Sequence, residues 1–135
     1  MSARILIVED EVLVAMELES ILEELEYEPI GIAADLSAAQ RYFDEKIDLA
    51  LVDLNLRDGL TGPQIGQLLG AKGVSVLFIT ANPRLLGDGV AGTIGVLTKP
   101  TDQRVVQSAV AYALARRNGE PVEPPAGLRT FAQEG

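Results

Sequence analysis

The sequence predicts an α/β fold, a doubly wound parallel sheet of five strands with helices on both faces. Its short apolar runs are continuous rather than alternating, which is typical of strands buried on both faces. The stretches between them show the residue spacing of amphipathic helices. The chain has 135 residues, 47% of them hydrophobic, which suits one compact domain. We therefore expect parallel strands joined by right-handed helical crossovers.

Five segments are predicted to form the strands. Three are strongly apolar runs that each stop at a polar residue, namely residues 5–8, 49–52 and 76–79. Residues 27–33 form a weaker strand, and Pro29 indicates that this strand lies at an edge of the sheet. Residues 93–98 form the fifth strand.

The first two connections are predicted to be helical. Apolar residues recur at helical spacing from Val14 to Leu25, which predicts a helix over roughly residues 11–26. Ser37 can cap a second helix, which continues through about Phe43.

The later connections differ in helical character. Gly62 and Pro63 begin a third helix that reaches about Leu69, because proline is favoured in the first turn. Residues 82–92 should contain a short or irregular fourth helix, since three glycines in six positions each cost roughly 1 kcal/mol in a helix interior. A last helix is predicted from the apolar pattern that begins at Val105, and it should end near Gly119.

The composition excludes several classes of function. The chain has no cysteine, histidine or tryptophan, so disulfides, thiolate or imidazole metal sites and Ser-His-Asp catalysis are excluded. There are 11 basic and 20 acidic residues, and nine of the acids lie between Glu9 and Glu28. Such a chain is repelled by phosphate backbones and anionic lipids, so we expect neither nucleic acid nor a membrane as a partner.

The two ends of the chain bear on its organisation. The apolar run before Glu9 is too short for a signal peptide, and no run reaches membrane-spanning length. We therefore expect a cytoplasmic protein. Three of the seven prolines lie after residue 118, where no periodicity remains. We expect a domain over residues 1–118 and a flexible C-terminal tail over residues 119–135.

Polar side chains end the predicted strands. Glu9 and Asp10 follow the apolar run 5–8, Asp53 follows the run 49–52, and Thr80 follows the run 76–79. Lys99 follows the predicted strand 93–98. The carboxyl ends of parallel strands are where such sheets bind ligands. Clustered carboxylates raise one another's pKa unless a cation lies among them, and Mg²⁺ suits such a site. A carboxylate beside the metal could accept a phosphoryl group, and the lysine would help to neutralise its charge.

Residues 4 to about 117 resemble the receiver domain of two-component response regulators. The resemblance rests on motifs at the strand ends, namely Glu9-Asp10, Val52-Asp53, Thr80-Ala81 and Lys99-Pro100. It implies a flavodoxin-like sheet of order 2-1-3-4-5. It also implies a regulator, not a turnover enzyme, that acts by phosphorylation-dependent binding of a downstream protein or as a phosphate sink.

The same resemblance implies the role of each site residue. Asp53 would be phosphorylated by a histidine kinase or a phosphotransfer protein. Mg²⁺ would be held by Glu9, Asp10, Asp53 and the backbone carbonyl of Asn55. The hydroxyl of Thr80 would bond the phosphoryl group, and Lys99 would pair with one of its oxygens.

The sequence departs from most receivers at two positions. Arg57 stands where they carry proline, and Val96 replaces the usual aromatic switch residue. The loop that ends at Gly62 and the run that begins at Thr80 resemble receivers of the alphaproteobacterial general stress response. No output domain follows in the sequence, so we expect a stand-alone receiver.

Alternatives stay open at this point. Taken singly, Asp53 could cap a turn and Lys99 could be an ordinary solvated lysine. A magnesium phosphatase of the haloacid-dehalogenase type would also use an aspartate nucleophile, but it needs a second aspartate two residues later. Asn55 stands there and cannot act as a general acid. A pseudo-receiver that binds partners without phosphorylation is disfavoured by the intact acidic set.

Overall fold

The computed structural model describes residues 2–131, which form a six-stranded sheet covered by helices on both faces. The strands are β1 Arg4–Val8, β2 Glu28–Ala33, β3 Leu49–Val52, β4 Ser75–Thr80, β5 Gly95–Thr98 and β6 Leu128–Thr130. The helices are α1 Val12–Glu24, α2 Leu36–Gln40, α3 Gly62–Ala71 and α4 Gln103–Arg117, with a 3₁₀ helix at Pro83–Leu86.

The sheet has the predicted topology. Its strand order is β2-β1-β3-β4-β5-β6, and the first five strands are parallel. The predicted order 2-1-3-4-5 is therefore confirmed, and β2 is the edge strand that Pro29 indicated. The predicted total of five strands is too low by one, because β6 pairs antiparallel with β5.

The core consists of one layer on each face of the sheet. Leu49 and Leu51 of β3 pack in the layer that contains α1 and α4, whereas Ala50 and Val52 pack in the layer that contains α2 and α3. All four side chains are buried. Burial on both faces explains why this strand is continuously apolar rather than alternating.

The second helix begins earlier and ends earlier than predicted. Its cap is Asp35, whose carboxylate accepts a hydrogen bond from the Ala38 N–H at 2.8 Å, so Ser37 lies inside the first turn and is not the cap. The helix ends at Gln40. Beyond it the chain continues in turns whose N–H groups bond three residues back, such as Phe43 to Gln40.

The segment 82–92 is irregular, as predicted. Only Pro83–Leu86 is helical, and it is a single 3₁₀ helix. Gly87 and Gly89 follow with φ of 53° and 127°, a region that residues with a Cβ rarely adopt. The chain then enters β5 at Gly95, two residues later than predicted, after a turn in which the Thr93 hydroxyl donates to the Val90 carbonyl.

The segment after residue 118 differs most from its predicted structure. A flexible tail was expected over residues 119–135, but Leu128–Thr130 form β6, and Leu128 and Phe131 are buried. A strand of three residues is too short to show a period of two, so its sequence carries no pattern. Residues 132–135 of the expected tail lie outside the described part of the chain.

The helices within residues 2–131 are all too short or too polar to cross a lipid bilayer.

Candidate functional site

Three predicted site residues follow the carboxyl ends of the strands. The register pairs Val8 with Val52 across β1 and β3, so Glu9 and Asp53 leave the sheet at the same level. Glu9, Asp53 and Lys99 each lie two positions beyond a residue of the α1/α4 core layer, namely Ile7, Leu51 and Leu97. Because side chains alternate along a strand, the three side chains are directed to the same face.

Lys99 joins the two buried carboxylates. Its Nζ donates to Oε1 of Glu9 at 2.7 Å and to Oδ2 of Asp53 at 3.0 Å. The carboxylate side chains are 2% and 9% exposed, and that of Lys99 is 17% exposed. Buried charges are tolerated when they are paired and hydrogen-bonded, so the lysine makes this arrangement of acids possible.

Asp10 completes a cluster that could hold a metal ion. Carboxylate oxygens of Glu9, Asp10 and Asp53 lie within 4.8 Å of one another. Three carboxylates beside a single ammonium leave an excess of negative charge, which favours a cation. An all-oxygen donor set of this kind fits Mg²⁺, which uses few carboxylates and keeps some of its waters.

The pKa of Glu9 is raised from 4.5 to about 7. The main cause is burial, which disfavours the charged form, and the Asp53 carboxylate adds to it; the hydrogen bond from Lys99 acts in the opposite direction. The pKa of Lys99 is also raised, because its hydrogen bonds to the two carboxylates outweigh burial, which on its own would lower it. Both shifts reflect negative charge crowded into a poorly solvated site.

The two oxygens of Asp53 have different partners. Oδ1 accepts a hydrogen bond from the Leu54 N–H at 2.7 Å, and Oδ2 contacts Lys99. The Asp53 N–H is bonded to the Val8 carbonyl at 2.9 Å, which fixes the start of the loop. The carboxylate is thus oriented by groups on both sides, as a nucleophile or metal ligand requires.

Thr80 lies beside Lys99, whose N–H donates to the Thr80 carbonyl at 2.8 Å, and Asn55 lies in the loop after β3. Thr80 ends β4 and is 1% exposed, and its Oγ1 accepts a hydrogen bond from the Asn82 N–H at 3.0 Å. The hydroxyl is therefore connected to the irregular segment that follows it. Asn55 is exposed in the loop after β3, and metal binding by its carbonyl stays a prediction.

Gly62 is a positioning residue that was not among the predicted site residues. A Cβ atom at Gly62 would collide with the Asp53 carbonyl oxygen and with the Leu54 Cα. The Gly62 N–H donates to the Leu54 carbonyl at 3.0 Å. The start of α3 therefore supports the loop that carries Asp53. A glycine at the first position of the helix, directly before Pro63, is the sequence signal that could have indicated this close approach.

The fold and this acidic site define a receiver domain. The family described as the response regulator receiver domain matches residues 5–111, and the chain belongs to this family of two-component signalling domains. The phosphatase alternative finds no support in these similarities.

The individual relatives include regulators named PhyR. The chain is 36% identical over 118 residues to the phyllosphere-induced regulator PhyR of Methylorubrum extorquens, and the match covers 84% of this chain. The solution structure of the Erythrobacter litoralis PhyR receiver domain is 35% identical, with a TM-score of 0.77, and the match covers 90% of this chain and 96% of that one. SdrG from Sphingomonas melonis is 34% identical, with a TM-score of 0.67, over 84% of this chain and 97% of SdrG.

The chain matches only part of the larger regulator. The alignment spans 44% of the Methylorubrum PhyR sequence, whereas it spans nearly all of SdrG and of the isolated Erythrobacter domain. The similarity is therefore to the receiver part of PhyR.

Proposed function

We propose that this domain accepts a phosphoryl group on Asp53 from a histidine kinase or a phosphotransfer protein and signals through the resulting change in its surface. The observation that carries the proposal is the contact of Lys99 with both Glu9 and Asp53 beside Asp10. The set provides a nucleophile, a cation for the transferred oxygens and ligands for a metal.

The chemistry follows from these positions. An oxygen of the Asp53 carboxylate would attack phosphorus, forming an O–P bond while the N–P bond of the phosphohistidine breaks, and the released imidazole would take up a proton. Lys99 would neutralise charge on the phosphoryl oxygens. Glu9 and Asp10, with Asp53 and the Asn55 carbonyl, would hold Mg²⁺, which when bound supplies further charge neutralisation.

Asn55, two residues after Asp53, supports an assignment as acceptor rather than turnover enzyme, because its amide cannot act as a general acid. The phosphoryl group would persist until water removes it, and Asn55 offers no acid–base group to speed its loss. Thr80 would bond the phosphoryl group in that state. Its existing bond to Asn82 would connect the event to residues 82–92.

The surface beside the site favours docking of a protein phosphodonor. Val12, Leu13 and Met16 are 68%, 81% and 54% exposed, and they lie in the first part of α1, which begins two positions after Asp10. Exposed apolar side chains next to a polar site are typical of protein interfaces. We propose that the donor packs on this face of α1 in the cytoplasm, and that a downstream protein, in a stress response like that of the PhyR regulators, reads the phosphorylated form.

The metal site is tested by calorimetric titration of Mg²⁺ into the wild type, Asp10→Asn and the neighbouring control Glu11→Gln. We expect Asp10→Asn to weaken binding strongly while the control stays close to the wild type. Phosphomonoester turnover, measured in parallel, should not exceed background. Equal Mg²⁺ affinity in the wild type and Asp10→Asn would contradict the assigned ligand set, and sustained turnover would revive the phosphatase alternative.

A further inference from the structure

The segment Leu128–Phe131, here called the C-terminal strap, covers the exposed edge of β5. Thr130 pairs with Gly95 and Leu128 with Leu97 in the antiparallel ladder. The Phe131 N–H extends it by donating to the Ile94 carbonyl at 2.9 Å. The strap thus satisfies backbone groups that an edge strand would otherwise present to solvent.

The strap also binds the irregular segment 82–92 through Arg129. Its guanidinium donates from Nη1 to the Gly87 carbonyl at 2.9 Å and from Nη2 to the Pro83 carbonyl at 3.3 Å. These carbonyls belong to the first residue of the 3₁₀ helix and to the residue directly after it. One side chain of the strap therefore holds both ends of this helix.

Phe131 forms the apolar part of the same contact. It is 5% exposed, and its ring lies 6.3 Å from the ring of Phe78. Gly89 passes so close to the Phe131 ring that a Cβ there would lie 2.6 Å from Cγ. Leu86 is buried in the same core layer. The inner side of segment 82–92 therefore rests on a residue that the strap supplies.

The first residue of segment 82–92 is bonded to Thr80, whose carbonyl accepts a hydrogen bond from the N–H of the site residue Lys99 at 2.8 Å. The Asn82 N–H donates to Oγ1 of the buried Thr80. A Thr80 hydroxyl that moves toward a phosphoryl group on Asp53 must either pull Asn82 with it or break this bond. The segment is thus held by Thr80 at its first residue, and by Arg129 and Phe131 along residues 83–89.

We propose that the C-terminal strap is a clamp that opposes displacement of segment 82–92 and is released when Asp53 is phosphorylated, which uncovers the edge of β5. The proposal rests on the function proposed above for Asp53. Because coupling between two sites is reciprocal, loosening the strap should also favour the phosphorylated arrangement.

Two variants loosen the strap without changing any residue of the acidic site. Arg129→Ala removes the hydrogen bonds to segment 82–92. Gly95→Ala places a Cβ against the Arg129 carbonyl oxygen, so the strap has to move away from β5. Arg41→Ala removes a comparable exposed arginine at the end of α2 and is the matched control.

The readouts are amide hydrogen exchange and the affinity for beryllofluoride with Mg²⁺, a phosphoryl mimic. In the wild type, beryllofluoride should speed exchange of the strap amides. Without ligand, both variants should speed exchange of residues 82–92, and both should bind beryllofluoride about fivefold more tightly, at the low end of allosteric couplings. Arg41→Ala should match the wild type in the strap exchange with beryllofluoride, in the ligand-free exchange of residues 82–92 and in the affinity for beryllofluoride.

The outcomes separate the two proposals. If the wild type binds beryllofluoride but strap exchange is unchanged and the variants bind it no more tightly, the clamp is refuted and the function of Asp53 stands. If the wild type does not bind it, the proposed function fails. The ligand-free exchange of segment 82–92 then decides the clamp, which is refuted if the two variants match Arg41→Ala.

Discussion

The ammonium of Lys99 lies 3.0 Å from a carboxylate oxygen of Asp53, although 46 positions separate the two residues in sequence. The same nitrogen contacts Glu9 at 2.7 Å. A single lysine thus compensates two buried carboxylates, while Asp10 adds a third acid nearby. Burial, with a smaller contribution from the Asp53 carboxylate, raises the pKa of Glu9. The excess of negative charge makes the site suitable for a divalent cation.

Stability without metal should fall as the pH rises through the titration of Glu9. Its pKa of about 7 in the folded chain exceeds the ordinary value of 4.5. The folded state therefore binds this proton more tightly, and the stabilisation present below pH 4.5 is lost as the pH rises to about 7. A pKa unit is worth about 1.4 kcal/mol, and with solvent screening we expect a loss of about 1–2 kcal/mol.

Urea unfolding between pH 4.5 and 8 in metal-free buffer measures this loss. Glu9→Gln should remove most of the pH dependence in that range, whereas the exposed neighbour Glu11→Gln should retain it. Mg²⁺ should restore stability at pH 8, because a ligand that binds only the folded state stabilises that state. A wild-type profile that matches Glu9→Gln would contradict the raised pKa.

Replacement of Lys99 should destabilise the domain in a pH-dependent way. Lys99→Met leaves Glu9 and Asp53 without their cation, and the loss of one partner from a buried pair costs about 3–5 kcal/mol. Since the lysine is partly exposed, we expect Lys99→Met to lower the free energy of unfolding by about 2–3 kcal/mol at pH 8. The loss should be smaller at pH 5.5, where Glu9 is protonated. Denaturant unfolding of Lys99→Met and of the exposed control Lys46→Met measures this destabilisation. If the two variants were equally stable at pH 8, the contacts of Lys99 with Glu9 and Asp53 would contribute little to stability.

Gly62→Ala should disturb the loop that carries Asp53. The added Cβ would meet the Asp53 carbonyl oxygen and the Leu54 Cα, and overpacking of this kind costs about 1–3 kcal/mol. Uptake of phosphate from a small acyl phosphate donor should slow as well. Gln67→Ala, on the exposed face of the same helix, should change stability by less than about 0.5 kcal/mol. Normal stability and uptake in Gly62→Ala would mean that the loop tolerates the displacement.

Much of the fold could be predicted because buried parallel strands produce continuous apolar runs. β1 ends directly before Glu9, β3 ends directly before Asp53, and β4 ends at Thr80. The parallel topology therefore brings these three residues to the same edge of the sheet. The irregular segment was predictable for a similar reason, because the backbone preferences of Pro83 and the nearby glycines are local.

The remaining features depend on contacts between distant residues. The cap at Asp35 was missed because Ser37 has equal capping ability in sequence, and only the backbone path distinguishes them. β6 was missed because its stability comes from Phe131 against Phe78 and from Arg129 on the carbonyls of segment 82–92. The close approach of Gly62 to Asp53 likewise exists only once α3 packs against the β3 loop.

The hydroxyl of Thr80 should couple the acidic site to segment 82–92. Thr80→Val keeps the side-chain shape but removes the oxygen that accepts from Asn82. We expect this variant to take up phosphate but to show little of the change in hydrogen exchange that beryllofluoride causes in residues 82–92 of the wild type. Thr98→Val, at the exposed end of β5, is the matched control. Equal exchange responses in Thr80→Val and the wild type would place the coupling elsewhere.

Phosphorylation of Asp53 is tested most directly by intact mass spectrometry after incubation with an acyl phosphate donor and Mg²⁺. The wild type should gain the mass of one phosphoryl group, in an adduct that is stable to acid, labile to base and absent when Mg²⁺ is chelated. Asp53→Asn should show no adduct, whereas Asp88→Asn, which alters an exposed aspartate of segment 82–92, should be labelled like the wild type. An adduct of equal yield in Asp53→Asn would contradict the assignment of Asp53 as the phosphoacceptor.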